Sequence, residues 1–293
     1  MANPILREKL ARGEFFFAPG IHDMVTAVIA RDLGYDVVYA TGYWLTASAW
    51  GLPDAGIATY TQMVDRVGTL ARTMKGAAVI ADADTGYGGL LNVHHTVRGY
   101  EAAGASGIQI EDQEFPKKCG HTPFKRVIPI IDMVEKVKVT CDARLDPANT
   151  LIIARTDALA SEGFEGAIAR GQAYAEAGAD VIFLEALTSE EQMREACRRI
   201  GKPMIANMAD GGKTPIRPAA ELEALGYACA IFPAMTALAS AEASRHALTR
   251  LKETGTSVLP DVHLYDFMRF CEQIGFDEVW EFERRWAASR ADA

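Results

Sequence analysis

The chain has 293 residues, 49% hydrophobic and 24% charged, a balance that fits a globular protein with a large core. With 39 acidic against 30 basic residues its net charge is −9, and no basic run is longer than two residues, as at Lys117-Lys118, so nucleic acid is disfavoured as a partner. No apolar run reaches the ~18 residues a membrane helix needs, and residues 1–9 turn charged before a signal-like stretch builds up, so a cytoplasmic protein is expected.

Short β-rich runs recur along the chain at 15–18, 37–40, 78–81, 107–110, 151–154, 181–184, 203–206 and 228–232. Stretches of helical spacing separate most of them, such as 166–177 and 189–200. Strands that alternate with helices predict βαβ units and a parallel sheet, and eight such units in this length predict an α/β protein with a closed (β/α)8 TIM barrel. An open dinucleotide-binding sheet is disfavoured, because Pro19-Gly20-Ile21-His22-Asp23 follows the first run where GxGxxG belongs. Without linkers or repeats beyond the βα alternation, one domain over 1–293 is expected, with 261–293 as a helical tail. The segment 111–151 is long for a βα connection and is a candidate lid. Aromatics of the tail, Tyr265 to Trp286, need a covering surface.

The active face of a parallel barrel is the C-terminal end of its strands. There stand Thr41-Gly42, Asp82-Ala83-Asp84, Glu111-Asp112, Arg155-Thr156-Asp157, Glu185 and Asn207, the pattern of one convergent polar pocket. Asp82 and Asp84 lie two apart, so extended backbone puts both carboxylates on one side, where they repel unless a cation intervenes. A hard divalent ion that keeps several waters, Mg²⁺, resolves this, while a turn in which they cap backbone amides is the plainer alternative. Cys119 has Lys117, Lys118 and His121 beside it, cations that lower a thiol pKa and suit a nucleophile or a proton donor. The other cysteines, 141, 197, 229 and 271, sit in apolar or helical contexts without CxxC and read as free structural thiols. Arg155 fits a fork for a substrate carboxylate or an ion pair with Asp157 or Glu185 about equally well. His94-His95 do not share a helix face and read as ordinary helix residues. The loop 86–89 is too weak a pattern for a phosphate site.

Lys117-Lys118-Cys119-Gly120-His121 resembles the KKCGH signature of the isocitrate lyase/phosphoenolpyruvate mutase superfamily. The likeness continues through Tyr39-Ala40-Thr41-Gly42-Tyr43, Gly51-Leu52-Pro53-Asp54, Asp82-Ala83-Asp84-Thr85-Gly86, Ile110-Glu111-Asp112-Gln113, Ala154-Arg155-Thr156-Asp157-Ala158 and the stretch 207–215. It implies a lyase with its last barrel helix exchanged between subunits in a homotetramer of swapped dimers. It also implies Mg²⁺ (Mn²⁺ as a substitute) on Asp82 and Asp84, with Asp54 and Glu111 acting through water. By the same likeness Thr41, Gly42, Tyr43 and Arg155 hold the carboxylate of the 2-oxo acid product, and Cys119 is the general acid. Tyr39 is the candidate base, and Gly120, His121, Glu185 and Asn207 face the substrate or position the loop.

Such residues are expected to cleave a 2-hydroxy dicarboxylate of the 2-alkylmalate type, like 2,3-dimethylmalate, to a 2-oxo acid and a carboxylic acid. Methylisocitrate cleavage, oxaloacetate hydrolysis and a non-catalytic carboxylate-binding barrel are the rival expectations. Members that cleave methylisocitrate carry an arginine at about the place of Leu238, whereas Met235, Thr236, Ala237 and Leu238 stand here. That stretch is expected to favour an alkyl substituent over a third carboxylate, while Trp44 is expected to narrow the pocket.

Overall fold

The computed structural model describes residues 2–122 and 124–291. A short helix, α1 (Ile5–Arg12), precedes the first strand. In order follow β1 (Phe16–Ile21), α2 (Met24–Asp32), β2 (Val37–Ala40), α3 (Gly42–Trp50), α4 (Tyr60–Thr73), β3 (Ala78–Asp82), α5 (Leu90–Ala103) and β4 (Ala105–Glu111). The second half runs α6 (Ile130–Ala143), β5 (Leu151–Thr156), α7 (Leu159–Glu176), β6 (Val181–Leu184), α8 (Glu190–Ile200), β7 (Ile205–Asn207), α9 (Ala219–Leu225) and β8 (Cys229–Phe232). Three helices end the chain, α10 (Met235–Thr254), α11 (Phe267–Gln273) and α12 (Phe276–Ala291).

The eight strands are parallel in the order β6-β5-β4-β3-β2-β1-β8-β7. A parallel bridge from Ile182 to Met204, with the Ile182 amide donating to the Pro203 carbonyl at 2.9 Å, joins the two outer strands of that order. The result is the (β/α)8 barrel expected from the alternation.

Strand alternation sorts the apolar residues into two cores. One set, including Val38, Ala40, Val79, Ala81, Ile108, Ile110, Ile152 and Ile182, packs outward against the helices. The other set, Phe16, Ala18, Val37, Tyr39, Ala78, Ile80, Leu151, Ile153, Val181, Phe183, Ile205 and Ile231, fills the barrel, and Leu6 of α1 joins it. Packed layers inside the barrel make its interior a floor rather than a channel.

Two expectations change in detail. The segment 111–151 is long because it contains α6, an ordinary barrel helix, so the irregular connection is only 112–129. The first strand runs on through Pro19-Gly20-Ile21, where the β1–β2 ladder pairs Gly20 with Tyr39 and Ile21 with Ala40. In the tail, Phe267 is 75% and Phe282 61% exposed. Among the described residues no helix is long and apolar enough to cross a membrane.

Candidate active site

The inward parity of the strands sets the site. One step beyond the last apolar layer, the same alternation that points Tyr39, Ile80, Ile153, Phe183 and Ile205 into the barrel delivers Thr41, Asp82, Arg155, Glu185 and Asn207. Glu111 and Gln109 are the equivalents on β4. These side chains, except Gln109, line one cavity of about 240 Å³ together with Tyr39, Tyr43, Trp44, Asp54 and residues 117–122 of the loop between β4 and α6.

Arg155 is buried and stands on the ring of Phe183, 5.0 Å from its centre. Its Nε donates to Asp157 Oδ2 at 2.8 Å and lies 3.3 Å from Glu111 Oε2. Its Nη2 donates to Asp157 Oδ1 at 3.1 Å and pairs with Glu185 Oε2 at 3.0 Å. The ion pairs expected of this arginine are formed, and it also lines the cavity, where no described residue takes Nη1. Burial alone would ease the proton off Arg155, but Asp157, Glu111 and Glu185 hold its pKa well above the ordinary range. The same pairing outweighs burial at Asp157 and keeps that carboxyl at about 2.

A second cluster surrounds Lys117. Its Nζ pairs with Asp84 Oδ1 at 2.6 Å and with Asp54 Oδ1. Burial holds the Asp84 carboxyl up near 6 despite that pairing, and burial also pushes Glu111 well above the usual carboxylate range. Asp84 lies two residues past the end of β3 with φ 50°, so strand alternation no longer orients it. Its amide donates to Asp82 Oδ1 at 3.1 Å, a turn contact of the plainer kind, and its carboxylate faces Lys117. Asp82 alone of the pair lines the cavity.

Asp82 Oδ2 points to the start of α3. A side chain at Gly42 would place its Cβ 2.8 Å from that oxygen, so glycine keeps the space beside the carboxylate open. Thr41 is the N-cap of α3 and does not cap it with its side chain, which leaves the first amides of that helix without a side-chain cap beside the cavity that Thr41 and Tyr43 line.

Cys119 reverses one expectation. The flanking lysine ammonium that should acidify it, Lys117, is committed to Asp54 and Asp84, and burial pushes the thiol up, only partly offset by the His121 amide donating to it. A thiol that keeps its proton at neutral pH suits a proton donor and not a nucleophile. Tyr39 also departs from its expected role. Its hydroxyl donates to Gln109 Oε1 at 3.3 Å, and burial, then Asp82, pushes its pKa well above 10, which makes it a poor base.

The loop tip is stitched to the barrel. The Lys213 amide donates to His121 Nδ1 at 3.3 Å, and His121 Nε2 lies 3.5 Å from Glu185 Oε1. Asn207 Nδ2 donates to Glu185 Oε2 at 3.0 Å, while its buried Oδ1 has no partner among the described residues and can accept from a ligand. Gly120 is packed so closely that an added Cβ would lie 2.2 Å from Arg155 Nη2.

Gln109 was not anticipated, although its parity with Glu111 is visible in the sequence; it is fully buried and its amide lies 3.4 Å from Asp82 Oδ1. Lys125 was also missed, being six residues beyond the cysteine in a loop without periodicity. Conversely, Met235 and Leu238 are 52% and 41% exposed on α10 and do not line the cavity; its apolar wall is Trp44, Ile231, Pro233 and Ala234. His95 packs against Tyr60, with ring centres 4.9 Å apart, as an ordinary helix residue.

A family model described as phosphoenolpyruvate phosphomutase matches residues 6–277. The chain is 42% identical to 2,3-dimethylmalate lyase of Eubacterium barkeri, over 97% of this chain and 98% of that one. It is also 42% identical to 2-methylisocitrate lyase of Aeropyrum pernix, over 96% and 89%. Oxaloacetate acetylhydrolase, solved with 3,3-difluorooxalacetate, superposes with a TM-score of 0.90 at 33% identity over 96% of each chain. Phosphonopyruvate hydrolase, solved with oxalate and Mg²⁺, superposes with a TM-score of 0.86 at 29% identity over 98% of this chain and 100% of that one. Matched over nearly its whole length, the chain belongs to the PEP mutase/isocitrate lyase superfamily, as one of its carbon–carbon lyases.

Proposed function

We propose that the chain cleaves the C2–C3 bond of a 2-alkylmalate such as 2,3-dimethylmalate, releasing pyruvate and propionate. The observation that carries this reading is the Cys119 thiol lining the same cavity as Arg155 and Asp82, where burial favours its protonated form. Cleavage leaves a carbanion beside a carboxylate, and a neutral acid must be at hand to protonate it.

The donor set fits Mg²⁺. Its ligands would be oxygens throughout, and Gly42 leaves the flank of Asp82 open. Mg²⁺ takes one or two carboxylates and keeps its remaining waters. Asp82 would hold it from the cavity wall, joined by Asp84 when that carboxylate leaves Lys117, with Asp54 and Glu111 through water, and Mn²⁺ can substitute. When bound, it acidifies and polarises the C2 oxygen of the substrate. Arg155 Nη1, Thr41 and the first amides of α3 at Gly42 and Tyr43 bind the carboxylate of the 2-oxo acid fragment. Glu111, whose carboxylate faces the Arg155 guanidinium, accepts the proton from the hydroxyl, and Tyr39 stays protonated as a hydrogen-bond donor. Gly120, His121, Glu185 and Asn207 seat the loop and the second fragment. Cys119 Sγ then protonates C3.

A second reading, methylisocitrate cleavage, is favoured by Lys118, which is exposed at the cavity mouth with no ion-pair partner among the described residues and could meet a third carboxylate. Oxaloacetate hydrolysis gains support from Trp44 if that ring leaves no room for alkyl groups. For the assembly we propose a cytoplasmic homotetramer of helix-exchanged dimers, one domain per chain, in which the exposed Phe267 and Phe282 are covered.

The test is a panel of 2,3-dimethylmalate, methylisocitrate and oxaloacetate with Mg²⁺ and with EDTA, reading pyruvate and oxalate. Pyruvate from dimethylmalate that stops with chelator is expected. Product from methylisocitrate or oxaloacetate alone replaces the substrate, and no product from any of the three leaves a carboxylate-binding barrel.

A further inference from the structure

The connection from β4 to α6 carries the cysteine, and two kinds of contact hold it. At its base the Glu114 amide donates to the Arg126 carbonyl and the Ile128 amide to the Asp112 carbonyl, both at 2.9 Å, around an antiparallel bridge between Gln113 and Val127. This base is backbone pairing and would persist whatever the tip did. At the tip, Lys125 turns inward. Its buried ammonium donates to the Gly120 carbonyl, one residue after Cys119, and to Asp157 Oδ1 at 2.7 Å. Asp157 is the same carboxylate that takes two hydrogen bonds from the Arg155 guanidinium. It is fixed from behind by its own amide, which donates to Asp112 Oδ1 at 2.9 Å.

We propose that Lys125 is a positioning residue for the reaction, which seats the Cys119–Gly120 tip against Arg155 by locking onto Asp157. One carboxylate then serves both partners. It orients the arginine for the substrate carboxylate, and it accepts the lysine only when the tip has come down. The close seating of the tip supports this coupling, because Gly120 fits against Arg155 Nη2 and Glu185 without room for even a methyl group. Lys125 does not line the cavity and touches no reacting atom, so its effect runs through where the thiol sits. The inference rests on Cys119 as the acid only for its kinetic arm.

The test uses the full-length protein and two readouts. In Lys125→Met the tip loses its latch but keeps the paired base. Alkylation of Cys119 by iodoacetamide, followed by peptide mass spectrometry with the other four cysteines as internal references, should accelerate at least about tenfold, as expected when a charge-assisted hydrogen bond that opposes local opening is removed. With 2,3-dimethylmalate and Mg²⁺, kcat should fall roughly 10- to 100-fold with little change in KM, the scale of a misplaced reacting group. Lys125→Arg, which can still pair with Asp157, should recover most of both. If Lys125→Met does not fold, Lys125→Gln, which keeps a donor for the Gly120 carbonyl, carries the same readouts. Unchanged alkylation in the folded variant overturns the proposal, as does a kcat equal to that of the parent. Because alkylation needs no substrate, a parent protein inactive on the panel would refute the lyase reading and leave this test standing.

Discussion

Replacing Gly120 by alanine tests the closed site with a single methyl group. Gly120 does not hold a positive φ, so alanine is tolerated by the backbone and the effect is purely steric. The new Cβ would lie 2.2 Å from Arg155 Nη2 and 2.7 Å from Glu185 Oε2. Ordinary contact for such atoms begins near ~3.5 Å, so the two groups must part by roughly 1 Å. Arg155 is the less able to yield, held by Asp157, Glu111, Glu185 and the Phe183 ring. The loop therefore lifts, and Cys119 lifts with it. A displacement of that size at a reacting group costs about 10²-fold in kcat/KM. The assay is steady-state pyruvate release from 2,3-dimethylmalate, paired with a thermal melt that should barely move, since the tip buries little apolar surface. A Gly120→Ala enzyme within about threefold of the parent would refute the close seating of the loop on Arg155.

Other outcomes follow from the same geometry. Cys119→Ser should lower kcat by ~10²–10⁴-fold with a modest change in KM, and the parent's kcat should hold through neutral pH and fall only as alkali removes the thiol proton; near-normal turnover of the serine variant would assign the acid elsewhere. Asp157, at about 2 against an ordinary 3.8, contributes stability that is complete above the ordinary value and is lost as pH falls through about 2. The gap in unfolding free energy between parent and Asp157→Asn, on the order of 2 kcal/mol from this carboxyl's shift, should accordingly shrink between pH 4 and pH 2 in urea titrations, and a gap independent of pH would contradict it. Light scattering at micromolar concentration should return a tetramer, and a folded, active monomer would contradict the covered tail.

The barrel was legible because its signal is local: β-rich runs at regular intervals, and polar residues where each run stops. Parity did more than the run boundaries showed, since carrying the inward set Leu151, Ile153 one step on reaches Arg155, and Gly107, Gln109 one step on reaches Glu111. The same rule misled at Asp84, because the strand had already ended and a left-handed residue turned the chain. Cys119 and Leu238 show a different limit. Sequence neighbours of the thiol include two lysines, yet the ammonium of Lys117 is drawn into Asp54 and Asp84, so proximity along the chain gave the wrong sign for its pKa. The family likeness sets Leu238 where other members carry an arginine for a third carboxylate, but α10 carries it outside the cavity wall. Long-range pairings such as Lys125 with Asp157 have no periodic signature at all.

Turnover of 2,3-dimethylmalate in D₂O with Mg²⁺, followed by proton NMR, tests the central claim most directly. Pyruvate and propionate should appear in equal amounts, with one deuterium on C2 of each propionate delivered from the exchanged Cys119 thiol, and both should fall together by ~10²–10⁴-fold in Cys119→Ser. Unchanged dimethylmalate, or propionate formed at the parent's rate by the serine variant, would contradict the account.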